Sequence, residues 1–319
     1  MEEQGPNRRS MKKKRKLRFG RFFMTITFLL LIGLVVFSIF QYKAGKDLAS
    51  TKDQKDIKFT GDSLDVKNSS IQNVLVLGAD ISESGISRSD TMMLVSWNKE
   101  TDEVNIVSFM RDIYASIPGG YKPQKLNVAY SLGGVQLLKD TISSMFGVPI
   151  HHYALIDFES FESLVDIVAP SGVTIDVEKA MSEKIGVSLE QGVQQLNGQE
   201  LLGYARFRAD EEGDFGRVAR QQKVMEALKE EVLSPLNAFY YPKFAGAIQG
   251  YVQTDYSTTE EIKHVLSLGF SGGVNINKLT IPIEKSYDFS SFPGVGSVIE
   301  INVDKNKQAL SEFLGMRLR

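Results

Sequence analysis

Gln72–Ala79, QNVLVLGA, is a short, continuous apolar run built on valine and leucine. A run of this length and type reads as a strand buried on both faces. Thr91–Trp97, TMMLVSW, and Glu103–Phe109, EVNIVSF, read the same way, with Asn98–Asp102 as the hairpin connection between them. All three strands carry charge at or near an end. Asp80 follows the first, Arg88 and Asp90 precede the second, and Arg111 and Asp112 follow the third. In a mixed α/β sheet, loops beyond strand ends are where sites are assembled.

Downstream, helices and strands interleave. Helical patterns are expected over 134–146, 158–168, 218–232 and 305–314, and from an Asn197 cap through Tyr204. A capped helix is expected at Thr258–Leu268, and Pro235 stops the helix before it. Strands are expected over 150–158, 173–177, 279–283 and 298–303. The fold class is therefore α/β, a single domain with a central mixed β-sheet flanked by helices.

Upstream, Phe22–Phe40, FFMTITFLLLIGLVVFSIF, is uncharged and nearly long enough to cross a hydrocarbon core of about 30 Å. Nine of the 37 Lys and Arg lie in residues 1–21, immediately before it. The positive-inside rule then makes 1–21 a cytoplasmic basic tail and 22–40 a signal-anchor helix. Residues 41–70, polar and short of large apolar side chains, read as an extracytoplasmic stalk, and 71–319 as the folded domain. A cleaved signal peptide would have a shorter apolar core and a small-x-small site, which Gln41-Tyr42-Lys43 does not supply. The chain after residue 21 holds 28 basic against 37 acidic residues, so a general nucleic-acid surface is not expected. There is no cysteine, which excludes disulfides, a thiolate nucleophile and a Cys-type zinc site.

Against that acidic background, Gly203–Gln222, GYARFRADEEGDFGRVARQQ, gathers Arg206, Arg208, Arg217 and Arg220. Guanidinium is permanently charged, and its planar fork matches phosphate oxygens two at a time. Arg206 and Arg208 share a face if the chain leaves a helix extended there, and diverge if it stays helical. Gly213 and Gly216 read as a turn, with a helix starting near Arg217 and placing Gln221 one turn later. The two pairs then converge on one polyanion, or else form a solvated face paired with Asp210, Glu211, Glu212 and Asp214. Asp80 and Asp90 are candidate hard-oxygen ligands for Mg²⁺. Other motifs carry less. Gly269–Gly273, GFSGG, matches G-x-S-x-G, but a helix precedes it and a strand follows, the reverse of a hydrolase elbow. His151 and His152 point to opposite faces of a strand and cannot share a metal. Met92 and Met93 read as core.

Taken in order, VLVLGAD at 74–80, SRSDTMML at 87–94, SFMRDIYASIPG at 108–119, KLNVAYSLGG at 125–134 and LNGQELLGYARFRADEEGDFGRVARQQ at 196–222 resemble the LytR-CpsA-Psr (LCP) family. These pieces cover about 150 residues, and the overall form is closest to MsrR-type members. Met110 departs from the pattern, since many relatives have proline there. The resemblance implies an LCP-type catalytic domain and a phosphotransferase. Such an enzyme moves an anionic glycopolymer, wall teichoic acid or capsular polysaccharide, from undecaprenyl pyrophosphate to a peptidoglycan hydroxyl. By motif position, Asp80 and Asp90 would hold Mg²⁺ (or Mn²⁺). Arg88, Arg111, Arg206, Arg208, Arg217 and Gln221 would line the phosphates, with Arg220 in second rank. Asp90 or Asp112 would accept the acceptor's proton, beside Arg111. The implied partners are the lipid-linked polymer, peptidoglycan and the bilayer. A regulatory, attenuator-like role and simple pyrophosphate hydrolysis are the alternatives.

Overall fold

The computed structural model describes residues 19–49, 57–63, 70–80, 88–101, 103–256 and 275–318. The chain divides into two units, Met1–Phe40 and Gln41–Arg319. The first contains most of helix α1, Phe19–Ala49. The stretch Ile26–Ala49 is apolar and long enough to cross a membrane, which is compatible with an anchor.

The second unit is a three-layer α/β fold. Its sheet has six strands: β1 (Ile71–Asp80), β2 (Arg88–Asn98), β3 (Glu103–Phe109), β6 (His152–Asp157), β9 (Val252–Thr254) and β10 (Ile276–Ile281), in the order β10-β3-β2-β1-β6-β9. The first three strands form an antiparallel meander. β6 joins β1 and β10 joins β3 in parallel, while β9 is antiparallel to β6. The sheet is thus mixed, as the sequence led us to expect, and along β1 the buried Leu75, Leu77 and Ala79 share one face while the half-buried Val74, Val76 and Gly78 share the other.

One face carries α2 (Leu126–Phe146) and α7 (Val303–Leu314). Leu75, Leu77, Met92, Leu94, Val107 and Phe109 pack there against Leu138, Ile142, Phe146 and Leu310. Each such fully buried side chain contributes about 1.5–3 kcal/mol. The expected helix at 134–146 starts earlier, at Leu126, and kinks at Gly133 and Gly134, where φ of +64° suits only glycine. The other face carries α3 (Phe158–Val168), α4 (Gly198–Arg206) and α5 (Gly213–Leu233). α5 is fastened to β3 and β10 by Gln222 Nε2, 3.0 Å from Ser108 Oγ and 3.1 Å from Thr280 Oγ1. A hairpin of β7 (Val173–Val177) and β8 (Gly192–Leu196) closes a second core around Tyr204 and Phe207.

Several elements escaped the sequence reading. They include β8, the 3₁₀ segment Pro235–Tyr240, helix α6 (Tyr241–Tyr251) and strand β11 (Tyr287–Phe292), which pairs with β12 (Gly296–Ile301), the strand expected at 298–303. A two-residue ladder of β4 (Tyr114–Ala115) and β5 (Gln124–Lys125) braces the chain after β3. The stalk expectation for 41–70 fails where the chain is described. Residues 41–49 continue α1 and pack in the folded unit, with Ala49 buried. Residues 57–63 dock on the core: Phe59 lies 4.9 Å from the Tyr153 ring, and Asp62 receives Lys139 Nζ at 2.5 Å and the Ile150 N–H at 2.8 Å. Low apolar content hid this: only Ile57 and Phe59 pack on the core, and hydrogen bonds at Thr60 and Asp62 hold the rest. The helix at 258–268 and the GFSGG motif lie outside the described residues.

Candidate active site

The site begins with an irregularity in the sheet. β1 and β2 pair in register from Ile71↔Asn98 to Gly78↔Thr91, but Ala79 then pairs with Ser89, leaving Asp90 without a partner. This is a β-bulge, a device that re-aims a side chain. The Ser89 hydroxyl sits inside it, 2.9 Å from Thr91 O and 3.3 Å from Gly78 O. In a regular strand Asp90 and Thr91 would face opposite sides. Here both line one cavity of about 310 Å³.

That cavity lies between the sheet and α3, α4 and α5. Val76, Met93 and Ile156 form its floor, and Phe158, Phe161, Leu202, Val224 and Met225 its walls. Its polar lining is Asp90, Asp157, Arg206, Arg208, Arg217 and Gln221, with Glu183 and Lys184. An apolar compartment thus carries its guanidinium groups on α4, α5 and the segment joining them.

The α4–α5 connection explains how the arginines arrive there. A reciprocal cap starts α4: Asn197 Oδ1 accepts the Glu200 N–H and Glu200 Oε2 accepts the Asn197 N–H, each at 3.0 Å, worth about 1 kcal/mol. Tyr204 and Phe207 turn inward and are buried. Phe207 is extended (ψ 133°), so Arg206 and Arg208 reach the same cavity. Arg206 lies 4.5 Å over the Phe158 ring. Both arginines are exposed, and neither has an ion pair among the described residues. The expected turn falls at Gly213 alone (φ +53°), and Gly216 is already inside α5.

Arg217, buried in the first turns of α5, points Nη2 to Asp90 O at 3.3 Å and Asp214 Oδ1 at 2.9 Å. Arg111, reached from the end of β3, donates from Nη1 to Asp90 Oδ1 at 2.7 Å. Its Nε stands 3.5 Å from Asp214 Oδ1 and 3.6 Å from Asp112 Oδ2. Two arginines and two aspartates, Asp90 and Asp214, therefore alternate in one cluster. Nε of both arginines is buried without a hydrogen-bond acceptor among the described residues. Asp214 Oδ1, 3.5 Å from Arg111 Nε, likewise has no hydrogen-bond partner among the described residues, so the two charges face each other at ion-pair distance. Gln221 Nε2 donates to Thr91 Oγ1 at 2.9 Å.

Burial pushes the Asp90 carboxyl up, but the hydrogen bond and charge of Arg111, with Arg217 and Arg208, outweigh it and hold Asp90 below the usual carboxylate range. Asp214 goes the other way: burial raises it more than Arg217 and Arg111 lower it. Burial also lowers Arg217, partly offset by Asp214. A depressed carboxylate is a poor proton acceptor, so Asp90 suits holding cations better than serving as a base.

The structure brings together Asp90, Arg111, Arg206, Arg208, Arg217 and Gln221. Asp112 adjoins through Arg111 but lies off the cavity, with Lys125 Nζ on its Oδ1 at 2.7 Å. Asp80 is exposed at the end of β1, opposite the Arg88 backbone, and also lies off the cavity; the Arg88 side chain falls outside the described set. Arg220 faces away. Its Nη2 takes Asp210 Oδ2 at 2.9 Å and Phe207 O at 3.3 Å, clamping the connection onto α5. The solvated-face reading therefore misses: Arg217 and Arg220 do pair with nearby aspartates, but both are buried. Sequence reasoning missed Thr91 and Lys125, and saw Asp214 only as an ion-pair partner, although its i,i+3 spacing to Arg217 was legible. His151 is structural, its Nδ1 accepting the Asn73 N–H at 2.9 Å.

Among the described residues no three His, Cys, Asp or Glu gather into a metal site. Asp80 and Asp90 offer hard oxygens from neighbouring strands at one end of the sheet. That donor set fits Mg²⁺ only when phosphate oxygens and water complete the shell.

Regulatory protein MsrR of Staphylococcus aureus is 44% identical over 281 residues, covering 88% of this chain and 85% of that one. The Bacillus licheniformis protein named polyisoprenyl-teichoic acid–peptidoglycan teichoic acid transferase TagU is 33% identical over 225 residues, 68% of this chain and 70% of its own. The crystal structure of B. subtilis TagV superposes with a TM-score of 0.65 at 27% identity, covering 77% of this chain and 98% of that one. The family model LytR_cpsA_psr matches residues 34–309. A match of that extent, over a fold shared with TagV, places the chain in the LytR_cpsA_psr family.

Proposed function

We propose that this protein transfers an anionic glycopolymer from a polyprenyl pyrophosphate to a peptidoglycan hydroxyl, outside the cell. The observation that carries this reading is the apolar cavity lined at its polar side by Arg206, Arg208, Arg217 and Asp90. A polyprenyl chain has no polar group to satisfy and would occupy the apolar part. Its pyrophosphate carries the charge that the guanidinium groups would meet. The acceptor oxygen attacks the polymer-side phosphorus, the bond to the bridging oxygen breaks, and polyprenyl monophosphate leaves, taking up the proton that the hydroxyl gives up. Charge growing on the non-bridging and leaving oxygens is what preorganised guanidinium groups stabilise. Arg111 and Arg217 are held by Asp90 and Asp214, so little reorganisation accompanies the reaction. Mg²⁺ (or Mn²⁺) held by Asp80 and Asp90 would supply further charge neutralisation at the pyrophosphate. An anchor helix would keep the enzyme at the surface that holds the lipid.

The test is full-length protein in bilayer nanodiscs with a labelled polymer on polyprenyl pyrophosphate, with and without peptidoglycan oligomers. Label moving to the oligomers, with release of lipid monophosphate, is expected. Release to water at the same rate with and without oligomers would make the protein a pyrophosphatase. The regulatory reading has the name of the S. aureus relative in its favour. A deletion strain that keeps full polymer attachment while its transcription changes would favour that reading.

A further inference from the structure

The folded unit has a second apolar surface, unrelated to the cavity. The 3₁₀ segment Pro235–Tyr240, PLNAFY, buries none of its residues. Leu236 is 85% exposed, Phe239 66% and Tyr240 36%. Three large apolar side chains bared within five positions of a folded domain mark an interaction surface.

Its place in the fold names the partner. Helix α6 follows this segment directly and packs on residues 41–49 of α1. The two backbones approach so closely that a Cβ on Gly45 would come within 1.9 Å of Lys243 O, and one on Gly246 within 2.0 Å of Tyr42 O. Further along, Gly250 meets Ala49, and Tyr251 Oη donates to Leu48 O at 3.2 Å. Numbers rise together on both helices, so the packing is parallel. Gln41 and Tyr241 therefore lie at one end, the end at which the chain arrives from the uncharged run finishing at Phe40. The bared Leu236, Phe239 and Tyr240 immediately precede Tyr241 and so lie at that end too, and the part of α1 that packs on α6 carries the exposed Lys43 and Lys46. Aromatic rings, leucine and lysine at the close of an apolar span are the composition of a membrane–water interface.

We infer that Pro235–Tyr240 is a second, peripheral membrane contact, in which Leu236 and Phe239, at the end of the folded unit where Gln41 enters, reach the bilayer interface. Two attachments fix a domain's tilt, where one helix leaves it free to swing. Arg217 stands roughly 24 Å from the end of α5 next to this segment, by the rise of an α-helix, and Gln221, Val224 and Met225 of the cavity lie between. The contact thus sets how far the arginines stand from the lipid that the proposed reaction draws on. The inference rests on the anchor reading but not on the reaction.

The chain has no cysteine, so Leu236→Cys, Phe239→Cys and Phe289→Cys each give one labelling site. Phe289 is 72% exposed and lies by the opposite end of α5, through the stack of Tyr287 on Phe215. Each full-length variant, carrying an environment-sensitive fluorophore, is reconstituted in phosphatidylglycerol–phosphatidylethanolamine vesicles containing a nitroxide lipid labelled near the headgroup. Loss of fluorescence at 236 and 239 but not at 289 is expected, and adding Leu236→Asp to the 239-labelled chain should restore the signal. Quenching at 236 and 239 no greater than at 289 would overturn the inference. Flotation is read in the same samples: protein that fails to float sinks the anchor reading and this contact with it, whereas floating, unquenched protein sinks the contact alone.

Discussion

Arg206 and Arg208 stand at the protein surface with no ion pair among the described residues, whereas Arg217 and Arg220, a few turns along the same chain, are buried and bound to aspartates. The residue type is identical, and the energetics are not. A buried guanidinium must have its partners, because an unpaired charge in the interior is too costly. Its charge is largely committed to the fold before any ligand arrives. An exposed guanidinium costs the fold little and keeps its donors for a ligand. Arg217 combines both conditions, being buried, paired with Asp214 and yet on the cavity wall, whereas Arg220 is buried and off the cavity.

The sharpest way to break this contrast is Arg217→Ala. It strands Asp214 beside Arg111 and should cost about 3–5 kcal/mol of stability, together with nearly all transfer activity; a chemical denaturation curve and the nanodisc assay read the two losses. Arg220→Ala should cost about 1–3 kcal/mol through the lost bonds to Asp210 and Phe207 O, Asp210 keeping Lys179 Nζ at 3.2 Å, while the folded fraction turns over within a few-fold of wild type. If activity fell as far as in Arg217→Ala at a temperature where both are folded, the clamp assignment would be wrong. Arg208→Ala should leave the unfolding midpoint unchanged and lower kcat on the order of 10²-fold, the usual cost of one preorganised donor. Arg206→Ala, which also loses its place over Phe158, should lose roughly 0.5–1 kcal/mol of stability, with a smaller drop in rate.

The smallest effect is in acid. Asp90 is depressed in the folded state, so its pairing with Arg111 and Arg217 stabilises the fold above the ordinary carboxylate pKa and is lost as pH falls through the folded value. Asp214 is raised, so it opposes folding at neutral pH and that cost fades on acidification. Carboxyl carbon NMR should see Asp214 take its proton before Asp90, and Asp90→Asn should flatten the acid limb of the stability profile. Protonation in the reverse order would undo the cluster geometry.

Much of the fold was legible because periodicity follows burial. The strands at 72–79, 91–97 and 103–109 are largely apolar because helices cover both faces of their sheet, and the Asn197 cap announced α4. β11 was missed because Asp288, Phe289 and Ser291 give it no clean alternation: Phe289 is exposed and Phe292 stacks on Tyr114 instead of entering the main core. Residues 57–63 were missed for a related reason, being held by Asp62 and the backbone.

The sequence alone determined which chemical groups are present and on which segments: aspartates and arginines at the ends of three buried strands, four arginines around one turn, and an uncharged run long enough to cross a bilayer. Local spacing and hydropathy carry those facts, because each depends on neighbours a few residues away. Which arginine is free, that the bulge turns Asp90 onto the same cavity as Thr91, that Asp214 joins Arg111 to Arg217, and that Leu236 and Phe239 lie at the end where Gln41 enters were decided only by tertiary structure. Each of these depends on burial and contact between residues from about ten to two hundred positions apart, and no local pattern in the chain encodes them.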